Sequence, residues 1–387
     1  MKRNVAHFDL DTFFVSVARL QNSALEGKPI IIGGSSDRGV VASCSYEARK
    51  FGVHSAMPMK LAKRLCPSAV YLKGDMDSYS HHSRIVTEII RERVQIVEKA
   101  SIDEFYLDLT GMDRFYGCSQ FAVELKQTIL KESGLPISYA LASNKLVSKV
   151  ATDDAKPNGQ LEIPFGMEKG YLAPLPVKRM PGIGLKTSTL LQRMGVETIK
   201  LLSEIPLPMM ENLLGKNGID LSRKANGLDD TPVVPYTEQK SIGKEETFEN
   251  DTIDMKFLYG ELVRLTEGVC FQLRKQKRLC GCITVKLRYA NFDTVSRQVT
   301  VPYTANDHVL LSKAQELFYK LYDRRMLVRL LGVRVSHLVG GFQQINLFED
   351  TEESVRLYQA MDKIRKRFGE TSVHRAISHK THHVPQL

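Results

Sequence analysis

The sequence predicts an α+β fold spread over several domains. Three observations carry this. Strand-like and helix-like stretches alternate over the first 165 residues. Residues 171–227 read as short helices broken by Pro174, Pro176, Pro181, Pro206 and Pro208. Residues 241–345 mix strands with helices again. Between the last two regions, residues 229–239 lack periodicity and hold two prolines, the pattern of a linker.

Each element has its own reason. Residues 4–10, N-V-A-H-F-D-L, form a short apolar strand that ends in carboxylates, Asp9 and Asp11. Ile30, Ile31 and Ile32 before Gly33 and Gly34 give a second strand and a turn, and residues 46–51 and 58–65 read as helices. The β-rich runs 94–101 and 105–110 meet at Ile102, Asp103 and Glu104, a hairpin with acids near its tip. A strand over 136–143 and a helix over 144–152 follow, with helical stretches at 80–93 and 119–131 between strands. Further on, 283–289 alternates cleanly, and 294–301 does so less cleanly. These runs predict a sheet that presents Lys286, Arg288 and Arg297 on one exposed face. A third run, 330–337, brings Arg329, Arg334 and His337 near a surface. Val355, Tyr358, Met361, Ile364 and Phe368 give a tail helix one apolar stripe.

Composition narrows the classes. The 387 residues are 43% hydrophobic and 25% charged, an ordinary globular balance that excludes disorder and fibrous repeats. No apolar run approaches the roughly 20 residues of a membrane span, and the acids after Met1-Lys2-Arg3 argue against a signal peptide, so a cytoplasmic protein is expected. Cys44, Cys66, Cys118, Cys270, Cys280 and Cys282 form no C-x-x-C pair and read as reduced core thiols. His374, His379, His382 and His383 crowd the last fourteen residues and read as a solvated tail. The net charge of +10 suggests a polyanionic partner. It is uneven: residues 1–75 carry 11 basic and 6 acidic side chains, 76–165 carry 10 and 13, and 240–348 carry 17 and 11.

Asp9, Asp103 and Glu104 are the sharpest chemical signal. A carboxylate at the end of an apolar strand is costly to bury unless it binds a cation. Oxygen-only ligands suit Mg²⁺, and two such ions can drive attack on a phosphate. The plainer alternative makes these acids solvated turn and hairpin residues. Asp9 and Asp11 share a face of an ideal strand, whereas Asp103 and Glu104 point opposite ways, so the pattern alone leaves Asp11 open as a ligand.

Five strings extend the signal: H-F-D-L-D-T-F-F-V-S-V at 7–17, S-Y-E-A-R-K-F-G-V at 45–53, S-I-D-E-F-Y-L-D-L-T at 101–110, S-N-K-L-V-S-K-V-A-T-D-D-A-K-P-N-G at 143–159 and P-G-I-G at 181–184. With them the chain resembles a Y-family translesion DNA polymerase of the DinB, or bacterial DNA polymerase IV, branch. The resemblance implies a right-hand polymerase. A ferredoxin-like palm would span 1–10 and 76–165, with small fingers at 11–75. A helical thumb with a helix-hairpin-helix would occupy 166–230. A linker at 231–240 and an α/β little finger at 241–343 would follow. A clamp-binding motif and tail at 344–387 would end the chain. It implies a low-fidelity, monomeric enzyme that adds dNTPs to a primer on damaged template DNA, with no proofreading exonuclease.

The resemblance also assigns roles. Asp9, Asp103, Glu104 and the carbonyl of Leu10 fall on ligands of two Mg²⁺ ions, and Asp11 falls on a position that is not usually a ligand. Phe14 falls on the steric gate against ribonucleotides. Phe13 is left to the core, with its N–H toward the triphosphate. Tyr46, Arg49, Ser43 and Lys156 fall on triphosphate-gripping positions. Gly182 and Gly184, flanked by Lys178, Arg179 and Lys186, would hold the DNA backbone. Lys286, Arg288, Arg297 and Arg334 would lie along phosphates of the same duplex. Gln344, Leu347 and Phe348 resemble the pentapeptide that docks on the bacterial sliding clamp. The rivals are another palm-type enzyme, such as a nucleotide cyclase, and a non-catalytic DNA-binding relative.

Overall fold

The structure is a computed structural model of the chain and describes residues 3–34, 36, 38–112, 117–322, 326–341 and 351–378. It divides into two compact units, Met1–Thr237 and Glu238–Leu387.

The first unit is built on β1 (Val5–Leu10), whose six residues are all buried. Buried on both faces, β1 takes the centre of a five-stranded sheet. After β1 come α1 (Phe13–Gln21), β2 (Ile30–Gly33), β3 (Val41–Cys44), α2 (Tyr46–Arg49), α3 (Met59–Leu65), β4 (Val70–Lys73) and α4 (Met76–Arg91). The chain then continues through β5 (Val97–Lys99), β6 (Glu104–Asp108), α5 (Cys118–Ser133), β7 (Ile137–Ala142), α6 (Lys145–Ala155) and β8 (Gln160–Glu162). The main sheet runs β5-β6-β1-β7-β8, with β1 antiparallel to both β6 and β7. Strand order and helix placement are those of a ferredoxin-like β-α-β-β-α-β unit with one added edge strand. The segment between β1 and α4 folds its own small sheet, β3-β2-β4.

Helix starts follow local chemistry. The Asn144 side chain accepts from Val147 N–H at 2.9 Å and opens α6, while Ser45 caps α2 and Asp75 caps α4. The expected helix 46–51 stops at Arg49, because Gly52 turns the chain with φ +83°.

Five short helices complete this unit: α7 (Glu168–Leu172), α8 (Leu185–Arg193), α9 (Ile199–Glu204), α10 (Leu207–Leu214) and α11 (Lys216–Ala225). They bury Leu172, Leu191, Ile199 and Met210 in one cluster with Val147 and Val150 of α6. Part of the expected linker is anchored rather than free. Val233 is buried with Val5 and Tyr106, and Val234 N–H donates to Glu98 at 2.8 Å.

The second unit contains β9 (Ser241–Thr252), α12 (Met255–Lys275), β10 (Arg278–Tyr289), β11 (Thr294–Thr304), α13 (Asp307–Leu321) and β12 (Val328–Gly340). The sheet order is β11-β10-β12-β9, all antiparallel. Leu258, Leu262 and Val269 of α12 and Phe318 of α13 cover one face, packing on Ile283, Val285, Val333 and Val335. The tail helix α14 (Thr351–Phe368) also belongs to this unit, but its docking face is not the expected apolar stripe. Tyr358, Asp362 and Arg365 are buried, while Ile364 and Phe368 are exposed. Arg274 of α12 explains the difference. Its Nε donates to Asp362 at 2.8 Å, so an ion pair selects the face.

All six cysteines are free and buried. Among the described residues no helix is long and apolar enough to cross a membrane. The pentapeptide of Gln344, Leu347 and Phe348 lies outside the described residues, as do His379, His382 and His383.

Candidate active site

Strand pairing brings the three acids together. Asp9 on β1 is directly opposite Glu104 on β6, and Leu10 N–H donates to the Asp103 carbonyl at 3.0 Å. Ser101 fixes the hairpin tip: its Oγ accepts from the Asp103 and Glu104 N–H groups at 3.2 and 3.0 Å and donates to the Asp103 carboxylate. Because Asp103 sits in the turn and not in the strand, its side chain escapes strand alternation and can share a side with Glu104.

Two lysines from the α6 region meet these acids. Lys156 Nζ lies 2.6 Å from Asp9 Oδ2, and Lys149 Nζ lies 2.7 Å from both Glu104 oxygens. Burial pushes the Asp9 carboxyl up to about 7, with Lys156 opposing and Glu104 and Asp103 adding repulsion. Glu104 is held down at about 2 by the nearby His7 imidazole, against the cost of burial and with help from Lys149. His7 is itself pushed below its ordinary value by burial.

Above the acids opens a cleft of about 280 Å³, lined by Asp9, Leu10, Phe13, Phe14, Ser43, Arg49, Asp103 and Lys156 among others. Phe13 is buried in the core, and the half-buried Phe14 faces the cleft, its ring stacked on Tyr79 of α4 at 4.0 Å between centroids. The Arg49 guanidinium lies 5.0 Å from the Tyr46 ring centroid.

Asp11 does not line this cleft. Thr12 adopts a left-handed conformation, φ 41°, which ends the strand and swings Asp11 into the interior. There its carboxylate accepts from Tyr46 Oη at 3.1 Å, from Ser138 Oγ at 3.0 Å and from Asn158 N–H at 2.7 Å. The shared-face expectation for Asp9 and Asp11 fails because the strand ends at Leu10.

The more distant basic residues separate into groups. Lys178 and Lys186 are exposed beside the turn of Gly182, which needs its φ of +98°, and Gly184 caps α8 with open space around its Cα. Arg179 does not join them. It is committed to Asp154 at 2.7 Å and the Val150 carbonyl at 3.2 Å, bracing the small helices on α6. In the second unit, Arg334 pairs with Thr284 in register and so shares a sheet face with Lys286 and Arg288. Arg297 is a correction: it pairs with Val285, a core residue, and therefore points to the helix-covered side of edge strand β11. Its neighbours Val295 and Val299 pack on the core, and a weak alternation hid the true phase of that strand.

Sequence reasoning missed Lys149, Tyr79 and Ser138. Lys149 had a signal: Lys145, Lys149 and Lys156 recur at helical spacing before K-P-N-G. Tyr79 and Ser138 had none, because their partners lie 65 and 127 positions away.

The family model of the impB/mucB/samB proteins matches residues 8–153, and that of the same family's C-terminal domain matches 239–347. A DNA polymerase IV of Dehalococcoides mccartyi is 38% identical over 375 residues, covering 96% of each chain. The chain belongs to the Y-family of DNA polymerases. Other relatives agree with this placement: the DNA polymerase IV of Desulfatibacillum aliphaticivorans is 38% identical and covers 95% of each chain. That of Clostridioides difficile is 34% identical and covers 94% of this chain and 99% of its own. Among solved structures, a Y-family chimaera of Dbh and Dpo4 superimposes with a TM-score of 0.78 at 27% identity, over 87% of this chain and all of its own. An insertion ternary complex of Dbh DNA polymerase gives a TM-score of 0.64 with the same identity and coverage. This Y-family member is a DNA-directed DNA polymerase of the translesion class. The cyclase and non-catalytic alternatives are thereby set aside.

Proposed function

We propose that this polymerase joins a dNTP to a primer 3′-hydroxyl on damaged template DNA, using Asp9, Asp103 and Glu104. The observation that carries the proposal is one cleft shared by two acids, Arg49, Lys156 and the Phe14 ring. Glu104 lies beneath it, paired with Asp9.

The residues fit a hard divalent cation. Their side-chain donors are carboxylate oxygens, with the Leu10 carbonyl beside them, and Asp9, Asp103 and Glu104 repel one another. Among the described residues no three acidic, His or Cys side chains converge as a ready-made metal set. Lys149 and Lys156 supply positive charge at the acids in this structure. When bound, two Mg²⁺ ions would favour ionisation of the primer hydroxyl and offset charge on the leaving pyrophosphate.

The protein's own part is positioning and charge. Arg49 would present a fork of donors to phosphate oxygens, and Lys156, lining the same cleft, would add a point charge. Ser43, Phe13 and Phe14 line the same space, where the N–H groups at the start of α1 would meet phosphate oxygens. Phe14, braced by Tyr79, would clash with a ribose 2′-hydroxyl. Lys178, Lys186 and the 182–184 turn would hold the duplex backbone, and Lys286, Arg288 and Arg334 would add phosphate contacts from the second unit. The sequence of Gln344–Phe348 alone supports a clamp contact. A monomer in the cytoplasm, binding primer–template DNA, dNTP and Mg²⁺, completes the proposal.

Primer extension tests it. Wild type with Mg²⁺ and four dNTPs should extend past the primer end, and chelation should stop it reversibly. Asp103→Ala should abolish extension while keeping the fold; equal extension by wild type and variant would remove the catalytic assignment.

A further inference from the structure

Asp11 is buried and outside the cleft, yet three elements converge on it. Tyr46 reaches it from α2, Ser138 from β7, and the Asn158 N–H from the turn that follows Lys156. Its own backbone is fixed as well: Asp11 N–H donates to the Pro136 carbonyl at 2.9 Å, and the Asp11 carbonyl accepts from Ser16 Oγ at 2.7 Å. The turn it grips is held from two further sides. Ser138 Oγ accepts from Gly159 N–H at 3.2 Å, and Lys126 Nζ donates to the Asn158 carbonyl at 2.6 Å.

A buried carboxylate needs several donors, and here every donor belongs to a segment that carries a triphosphate-facing group or borders one. Tyr46 is three residues from Arg49 on the same short helix. Asn158 is two residues from Lys156. Arg49 and Lys156 come from different segments to line one cleft, and Asp11, outside that lining, bonds to both segments.

We propose that Asp11 is a positioning residue that registers Arg49 and Tyr46 of one segment against Lys156 of the other, so that both cations meet one triphosphate. The proposal rests on the nucleotide reading of the cleft. Ser138 assists by presenting its hydroxyl to both Asp11 oxygens. A single Asp11 carboxylate thus sets the width of the phosphate site without touching the nucleotide.

The test is steady-state incorporation of one dNTP by the full chain with Asp11→Asn, which keeps the shape but offers an N–H₂ where an acceptor is needed. The KM for dNTP should rise about tenfold or more, the scale of a charged hydrogen bond, with primer–template affinity unchanged. Tyr46→Phe cuts one arm of the bridge, so the double variant should lose clearly less than the product of the single losses. An unchanged or lower KM, or losses that multiply, overturns the proposal. Should Asp11→Asn unfold at the assay temperature, Ser138→Ala replaces it: a smaller rise in KM supports the bridge, and none overturns it. If wild type itself incorporates no dNTP, the nucleotide reading fails first, and that failure shows before any variant is compared.

Discussion

Phe14 and Phe13 are neighbours with opposite fates, and the reason is local. On α1, Phe13 turns into the core, while Phe14 rests on Tyr79 at the cleft wall. Phe14→Ala should raise ribonucleotide incorporation about tenfold or more, the range over which a pocket wall discriminates size; competition between rNTP and dNTP measures it. His7 gives a second residue-scale prediction. Its folded pKa lies below 6.5 because the ring is buried, so the unfolded chain takes up a proton that the folded chain refuses. Stability is therefore full above pH 6.5 and is lost progressively below it. His7→Gln should flatten that loss in urea titrations compared between about pH 7.5 and pH 5.5; an unchanged slope would mean that the ring does not contribute. The positions of Asp9, Phe14, Arg49 and Lys156 in the cleft were legible because each sits in a distinctive string. The use of Asp11 was not, since it depends on a left-handed Thr12 and on partners 35 to 147 residues away.

At the level of elements, α6 crosses the main sheet as a ladder of cations. Lys145 pairs with Glu98 on β5, Lys149 with Glu104 on β6, and Lys156, just past the helix, with Asp9 on β1. One lysine meets each of three successive strands. The turn after α6 is tight: a Cβ on Gly159 would lie 1.8 Å from the Ala155 carbonyl oxygen. Gly159→Ala should cost about 2 kcal/mol or more, an overpacking penalty read by urea denaturation. The tail helix offers a contrasting case. Breaking its Asp362–Arg274 pair with Asp362→Ala leaves the guanidinium its contacts with Asp307 and the Ala305 carbonyl and should cost about 2 kcal/mol in the second unit, the scale of a charged hydrogen bond. Amide exchange along α12 and α14 would localise that loss, and unchanged protection would refute it. Amphipathic patterning suggested an apolar contact there because it has no means of seeing an ion pair formed 88 residues apart.

Across the whole molecule, the main sheet of each unit is built on the same order of elements, β-α-β-β-α-β, interrupted in the first unit by the small β3-β2-β4 sheet, but the two arrange the strands differently. The first strand is central in one sheet and an edge in the other. Here burial decides: every residue of β1 is buried, whereas β9 carries Lys244, Glu245, Glu246 and Glu249, residues that protect an edge. Element order was thus readable from periodicity, while pairing order needed the packing on each face. The same packing separates the basic residues of the second unit. Lys286→Ala with Arg334→Ala should lower the slope of log affinity against log salt by about 2 in DNA titrations, one for each phosphate charge that is no longer neutralised. Arg297→Ala should leave the slope unchanged, because its side chain is on the other face.

Lys156 has one ammonium group and two claimants. It now neutralises Asp9 at 2.6 Å, yet its position on the cleft wall also offers it to a phosphate. In the proposed site, a nucleotide that drew it away would uncover the carboxylate and so raise the appetite of Asp9 for a divalent ion. By reciprocity, that ion would tighten the nucleotide by the same factor. Mn²⁺ titrations followed by water relaxation should therefore show weak binding to the protein with DNA alone. A non-hydrolysable dNTP should tighten that binding by more than its own free affinity for the ion explains. In Lys156→Ala the added gain should vanish.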